Sequence, residues 1–199
     1  MTDRPEILKA VEEHGFKVFD SGADYDLNII GARNPEQVPD TFNDRIHVCY
    51  TIGGIWVEDV FEGTTDPGLY WLKNGRQSGT AVMCHPQQIR GGYELGYHRG
   101  NIHHPCLRPV KPCLVWRDPN RDSVIDYGEL KTFEAWGINI HRANSKYRSK
   151  RIHKYSAGCQ VIASPVRYAY FLELLNKQIE HNNWNTFTYT LIEGNYDDT

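Results

Sequence analysis

The chain has no run of apolar residues long enough to cross a membrane, and its first residues are not followed by an apolar stretch. A membrane-spanning helix needs about 20 predominantly apolar residues, and a secretory signal needs an apolar segment close to the N-terminus. Internal repeats, low-complexity tracts and linkers are also missing. We therefore expect no membrane span, and synthesis in the cytoplasm without a signal peptide.

Cysteine is scarce and charge is nearly balanced. The five cysteines are an odd number and include no Cys-x-x-Cys pair, which argues for largely reduced thiols rather than a disulfide framework. The formal net charge is −3, so the chain lacks the basic field of a nucleic-acid-binding protein, and we expect no nucleic-acid partner. A basic stretch at residues 142–154 is local.

Short runs of β-forming residues, separated by Gly, Pro, Asn and Asp, fill most of the chain. They predict strands at 25–32, 44–50, 54–61, 69–72, 79–83, 114–117, 137–141, 160–163 and 186–192. Apolar residues at helical spacing predict helices at 4–14 and from Ser164-Pro165 to about 179. We expect one domain over 1–199 with an N-terminal helical extension at about 1–20. The predicted fold class is mainly β with peripheral helices (α+β), around a β-sandwich or barrel core.

Two segments supply the residues of a cysteine nucleophile pair. The apolar segment 136–140 ends in His141, and a small-residue turn presents Cys159 to a further apolar strand. A free thiol is mostly protonated near neutral pH, so an adjacent imidazole must take its proton. Gly158 lets the backbone turn tightly, and the Gly158 and Cys159 amides are candidates for an oxyanion hole. The basic stretch 142–154 is expected to favour the thiolate.

The spacing of these residues resembles the L,D-transpeptidase (YkuD-like) catalytic domain. His141 is followed by fourteen residues and then by Ser156-Ala157-Gly158-Cys159, whereas the family signature is a His, a similar gap, and Ser/Thr-His-Gly-Cys. The segment 62–72, with Asp66-Pro67-Gly68, is similar to the Thr-Pro-x-Gly-x-Phe segment that precedes the site in that family. The resemblance covers roughly 45–175. It implies Cys159 as nucleophile, His141 as base and the Arg142 carbonyl as the group that orients the imidazole.

Three positions depart from the family pattern. Ala157 replaces the second His, Gln160 with Val161 replaces the usual polar pair after the Cys, and Arg142 follows the base in place of a small residue. We expect altered selectivity, with a substrate site shaped by four residues: Ser156, Ala157, Gln160 and Arg151.

The function that the resemblance implies is a peptidoglycan-active cysteine enzyme. It would cleave or exchange an amide bond of the stem peptide through a Cys159 thioester, without a cofactor for catalysis. A cytoplasmic product that acts on the cell wall fits a phage lysis or entry protein, delivered by the phage or associated with the virion. The alternative is a virion structural protein, in contact with other virion proteins, that retains the fold with an inactive site. A papain-like or NlpC-type peptidase is disfavoured because it orders Cys before His.

An acidic stretch has the spacing of an EF-hand calcium loop. Oxygen ligands stand at its positions 1, 3, 5, 9 and 12, with a backbone carbonyl at 7. Ser123 occupies the sixth position, where Gly makes the sharp turn, and the flanks do not read as helices. A structural calcium ion and an Asx-rich turn held by its own side chains are both open. The candidate ligands are Asp118, Asn120, Asp122, Val124, Asp126 and Glu129.

A zinc site is disfavoured, because no His or Cys pair shows the short spacing of zinc ligands. The glycine-rich segment 90–96 lacks the following Lys-Ser/Thr of a phosphate-binding loop and indicates a substrate-facing segment or a plain turn. The residues considered for zinc are Cys84, His85, His98, His103, His104 and Cys106.

Overall fold

The structure is a computed structural model that describes residues 4–75, 78–134 and 137–196. These residues form a mainly β fold with peripheral helices, as the sequence predicts. The helices are α1 (Glu6–Glu13), α2 (Leu69–Lys73) and α3 (Pro165–Asn182). The strands are β1 (Asn28–Arg33), β2 (Asp44–Ile52), β3 (Ile55–Thr64), β4 (Thr80–Met83), β5 (Gln87–Tyr97), β6 (Pro105–Pro109), β7 (Cys113–Asp118), β8 (Leu130–Phe133), β9 (Ile140–Arg142), β10 (Gln160–Ile162) and β11 (Thr186–Glu193).

Eight of the strands close into a barrel in the order β1-β11-β5-β6-β9-β10-β3-β2. The pairs β1–β11 and β9–β10 are parallel, and the other neighbours are antiparallel. The β2–β3 hairpin turns at Gly53 and Gly54, whose φ angles of 57° and 77° match the turn that suits the strand twist. Strands β4, β7 and β8 form a separate sheet.

Side-chain alternation along the barrel strands builds apolar clusters on both faces of the sheet. Ile29 belongs to the main core, together with Phe171 and Leu175 of α3. The next residue, Ile30, belongs to a second cluster on the opposite face, which α1 covers.

The helix α1 is held by packing rather than by its own propensity. Its eight residues are too few for a helix that is stable alone. Ile7, Leu8 and Val11 are buried against the barrel, and each fully buried aliphatic side chain contributes about 1.5–3 kcal/mol. The helix α3 begins as predicted, with Ser164 as N-cap and Pro165 in the first turn.

Several element predictions were wrong. Residues 69–72 form helix α2 instead of a strand, because the Leu69 amide donates to Asp40 Oδ1 at 3.2 Å and the chain turns there. The glycine-rich segment 90–96 lies within β5, the longest strand described, where Gly91 has a φ of 53°. Of the strand predicted at 137–141, only Ile140 and His141 are in β9, and Trp136 lies outside the described residues.

Candidate active site

Strands β9 and β10 bring His141 and Cys159 to one face of the barrel wall. The strands are parallel, and His141 lies opposite Val161. Since side chains alternate along a strand, Cys159 lies on the same face as Val161 and His141. Cys159, Val161 and Ala143 accordingly share one buried cluster. Ile140, which precedes His141 on β9, faces the other way and belongs to the main core.

A tight turn holds Cys159. Gly158 has a φ of 117°, and a Cβ at this position would lie 2.5 Å from the Ala81 carbonyl oxygen. A residue other than glycine would be strained here and would meet backbone. Ser156 Oγ donates to the Cys159 carbonyl at 2.7 Å and accepts from the Gly158 amide at 3.2 Å. The Gly158 amide is therefore already occupied, and the Cys159 amide is left as the candidate oxyanion donor.

The segment 62–72 contacts this turn directly. The Gly68 amide donates to the Ser156 carbonyl at 2.9 Å, and a Cβ on Gly68 would lie 2.1 Å from the His153 carbonyl oxygen. Asp40 Oδ1 accepts from the amides of both Leu69 and His153. The two segments that carry the family resemblance are thus joined by backbone contacts.

The His141 ring is buried and oriented by the backbone. Nδ1 lies 2.8 Å from the Arg142 carbonyl oxygen, and because a carbonyl only accepts, the ring proton is placed on Nδ1. Nε2 is buried without a hydrogen-bond partner. Burial lowers the pKa of His141 to about 3, although the Arg142 carbonyl opposes this effect. The imidazole is therefore neutral, with the Nε2 lone pair free.

The Cys159 thiol is protonated in the resting site. Sγ donates to the Gly137 carbonyl at 3.1 Å rather than to His141. Burial raises the pKa of Cys159 to about 11, opposed by the Asn139 amide and the Arg99 charge. Among the cations, Arg99 lowers the pKa of this thiol, and an effect of the stretch 142–154 on the thiolate stays a prediction.

Two further imidazoles lie beside His141. Backbone hydrogen bonds close the loop between β5 and β6, with the His98 amide donating to the His104 carbonyl at 2.9 Å. The ring centroid of His141 lies 4.8 Å from that of His98 and 5.3 Å from that of His104, and the latter two lie 4.9 Å apart. Burial lowers the pKa of both, that of His104 to about 4. The sequence did not associate these residues with His141.

The four residues expected to shape the substrate site differ in exposure. Ser156 and Gln160 are 0% exposed, and Gln160 Oε1 accepts from the Tyr189 hydroxyl at 2.8 Å. Both side chains are enclosed by the protein and stabilise the turn in this structure, and their contact with a substrate stays a prediction. Ala157 and Arg151 are exposed and stay candidates.

A buried arginine lies behind the segment 62–72. Arg33, at the end of β1, is 0% exposed and donates to Thr65 Oγ1 at 2.9 Å and to the Thr65 and Met83 carbonyls at 2.8 Å. Its Nε lies 2.9 Å from Asp66 Oδ1, and Asp44 accepts from the Thr65 amide at 2.6 Å. Burial raises the pKa of both carboxyls, that of Asp44 to about 7. This network fixes the segment on the barrel.

The loop between β7 and β8 contains the expected calcium ligands. Asn120 donates to Asp122 and Asp126, and Asp122 Oδ1 accepts from the Val124 amide at 2.7 Å. Asp118 is buried, and its Oδ1 has no hydrogen-bond partner. Across the described ranges, no three or more His, Cys, Asp or Glu side chains stand in the arrangement of metal ligands. In this structure the loop is therefore a turn held by its own side chains.

Calcium binding by this loop stays a prediction that thermal melting tests. If the ion binds only the folded loop, millimolar calcium should raise the wild-type Tm by about 2–4 °C for each kcal/mol of binding free energy. Binding would require Glu129 to leave Lys131, which lies 2.9 Å away. The calcium-induced shift should vanish in Asp122→Ala. If calcium left the wild-type Tm unchanged, the loop would not be a calcium site.

Two cavities lie apart from the Cys159–His141 pair. One, of about 770 Å³, has Arg90, Lys111 and Trp184 in its lining. The other, of about 120 Å³, lies between Asp66 and the acidic loop. Neither is lined by Cys159 or His141.

Comparison with known proteins gives no relative: no protein family, curated protein or solved structure matches the chain. Within the described residues, no helix has both the length and the apolar character needed to cross a membrane.

Proposed function

We propose that the protein is a cysteine-dependent acyl-transfer enzyme that acts on the stem peptide of peptidoglycan. The observation that carries the proposal is the His141 ring, which the Arg142 carbonyl holds through Nδ1 while Nε2 stays free. The ring shares one face of the parallel pair β9–β10 with Cys159. Thiol catalysis requires a base that a third group orients and that the nucleophile can reach, and the proposal takes Cys159 Sγ to reach His141 Nε2 when its side chain rotates.

The reaction begins with rotation of the Cys159 side chain from the Gly137 carbonyl toward His141 Nε2. Sulfur then attacks the carbonyl carbon of an amide next to a D-centre, and its proton passes to Nε2. Because both groups are neutral at rest, this proton transfer accompanies the attack. The C–N bond breaks, Nε2 returns the proton to the leaving amine, and a thioester remains on Cys159.

The second half of the reaction resolves the thioester. Water yields a carboxylic acid, and an amine yields a new amide. In either case His141 takes the proton of the attacking group, and the sulfur leaves as thiol. Hydrolysis is the favoured outcome for a phage lysis or entry protein.

The charge around the site suits an acidic peptide. Arg99 is exposed and acts electrostatically on Cys159, and Arg151 is exposed on the loop that follows His141. Stem peptides carry free carboxylates, which guanidinium groups bind well. The resemblance to L,D-transpeptidases supports the same substrate class.

The test is incubation of purified protein with muropeptides and analysis by mass spectrometry. We expect release of stem-peptide fragments or of a terminal D-residue, and an acyl adduct on the Cys159 peptide after an acid quench. Cys159→Ala is the blank, and Cys49→Ala, a buried cysteine on β2, is the matched control that should stay active. Excess free D-amino acid should divert part of the product to exchange if an amine site exists.

Two results would contradict this proposal. If Cys159→Ala kept its activity, the reaction could not proceed through a thioester on Cys159. A folded wild type that acts on no muropeptide and forms no adduct would favour the virion structural alternative, in which the fold is kept without chemistry.

A further inference from the structure

Three imidazoles converge at the face that carries Cys159. The ring centroids of His98, His104 and His141 are 4.8, 4.9 and 5.3 Å apart. Three imidazoles on one tetrahedral zinc ion, with Zn–N bonds of about 2.1 Å, have centroids roughly 5 Å apart. The distances between the ring centroids are therefore within the range that three rings around one ion would have.

The free nitrogens of the cluster point to a missing ligand. His141 is 3% exposed, and its Nε2 has no hydrogen-bond partner; His104 Nε2 is also buried without one. An unpaired buried polar atom is costly, so such atoms call for a partner. Two of them in adjacent rings are satisfied together by one ion.

We propose that His98, His104 and His141 bind a divalent transition-metal ion such as zinc, with water as the fourth ligand. Binding needs rotation of the rings, because no three donor atoms among the described side chains are in ligand positions. His98 and His104 are half-buried, so both rings are in partial contact with solvent.

The surroundings of the cluster match those of metal-binding histidines. Such residues donate their second ring N–H to a carbonyl or carboxylate. The Arg142 carbonyl accepts from His141 Nδ1 at 2.8 Å and also acts as a hydrogen-bond acceptor for His104. Neutral nitrogen donors select zinc or cobalt over calcium or magnesium. The nearby cations Arg99 and Arg142 will weaken the affinity.

The metal would regulate the thiol enzyme. An ion on His141 Nε2 occupies the lone pair that the reaction needs, so bound metal should stop acyl transfer until it is removed. This regulatory half rests on the proposed function, whereas metal binding itself does not.

The experiment titrates the EDTA-treated full-length protein with cobalt. We expect a visible absorption of tetrahedral cobalt that saturates at one equivalent and is displaced by zinc. His98→Gln and His104→Gln should each weaken binding at least about tenfold. His103→Gln is the matched control, because this exposed neighbour is outside the cluster and should bind as wild type does.

The outcomes distinguish metal binding by the three histidines from regulation of the thiol enzyme by the metal. No cobalt band, or a band that survives in both His98→Gln and His104→Gln, would overturn the site whatever the activity is. The band should persist in Cys159→Ala, so the site can be tested without turnover. One equivalent of zinc should inhibit the wild type reversibly and His98→Gln much less, and zinc binding without inhibition would overturn the regulatory half.

Discussion

Replacing His141 by asparagine should lower the rate of muropeptide cleavage by about 10²–10⁴-fold, the usual worth of a positioned base. The asparagine side-chain amide can still donate to the Arg142 carbonyl, as His141 Nδ1 does at 2.8 Å, so the local fold should be kept. What the variant lacks is Nε2. The measurement is kcat/KM in buffer with EDTA, and His103→Gln should leave the rate unchanged.

The pH profile gives a second measurement on the same residue. The pKa of His141 is lowered to about 3, so the basic imidazole is present above that pH. The acid limb of kcat/KM should therefore lie well below the reference imidazole pKa of about 6.5. A His141→Asn variant as active as the wild type would contradict the assignment of His141 as base, whereas an acid limb near pH 6.5 would contradict only the lowered pKa of its ring.

Arg33→Leu should destabilise the protein by about 3–5 kcal/mol at pH 8, one of the largest effects of a single substitution. The substitution leaves Asp44 and Asp66 buried without their cation and the Thr65 and Met83 carbonyls without a donor. Urea denaturation measures the loss. Arg148→Leu is the matched control, because its pair with Glu62 is exposed and should contribute little.

The loss of unfolding free energy in Arg33→Leu, relative to the wild type, should become smaller as the pH falls. Arg33 lowers the pKa of Asp44 and Asp66, so its removal raises both carboxyl pKa values further above those of the unfolded chain. A carboxyl with a raised folded pKa contributes stability below its unfolded pKa, and that contribution is lost as the pH rises through the folded pKa. The variant should thus be least impaired near pH 4. A deficit independent of pH would show that the buried charges are not its cause.

The local sequence pattern was enough to predict the fold class and several strands, because hydrophobic alternation and Gly-Gly or Asn-rich turns depend on residues that are neighbours in the sequence. It failed where distant residues decide the conformation. Leu69 to Lys73 is rich in strand-forming residues but forms a helix whose first amide donates to the distant Asp40, and β5 tolerates its glycines because β6 and β11 pair with it.

For the candidate site, the sequence predicts which residues react but not which distant residues surround them. The spacing of His141 and Cys159 predicts both as reacting groups, and the structure contains the expected contact from His141 Nδ1 to the Arg142 carbonyl. The thiol's protonation depends on burial, which spacing does not reveal. The association of His98 with His141 depends on the pairing of β6 with β9, a contact between segments more than 30 residues apart.

The two glycines at the thiol turn bear on how this chain can diverge. Gly68 and Gly158 each abut a carbonyl oxygen, of His153 and Ala81 respectively. Every amino acid presents that oxygen, so the need for glycine at positions 68 and 158 does not depend on which side chains occupy positions 153 and 81. Homologues of this chain should therefore have glycine at the positions that correspond to 68 and 158 even where the neighbouring residues vary. A sequence search that gives these two glycines extra weight should find relatives that overall similarity misses.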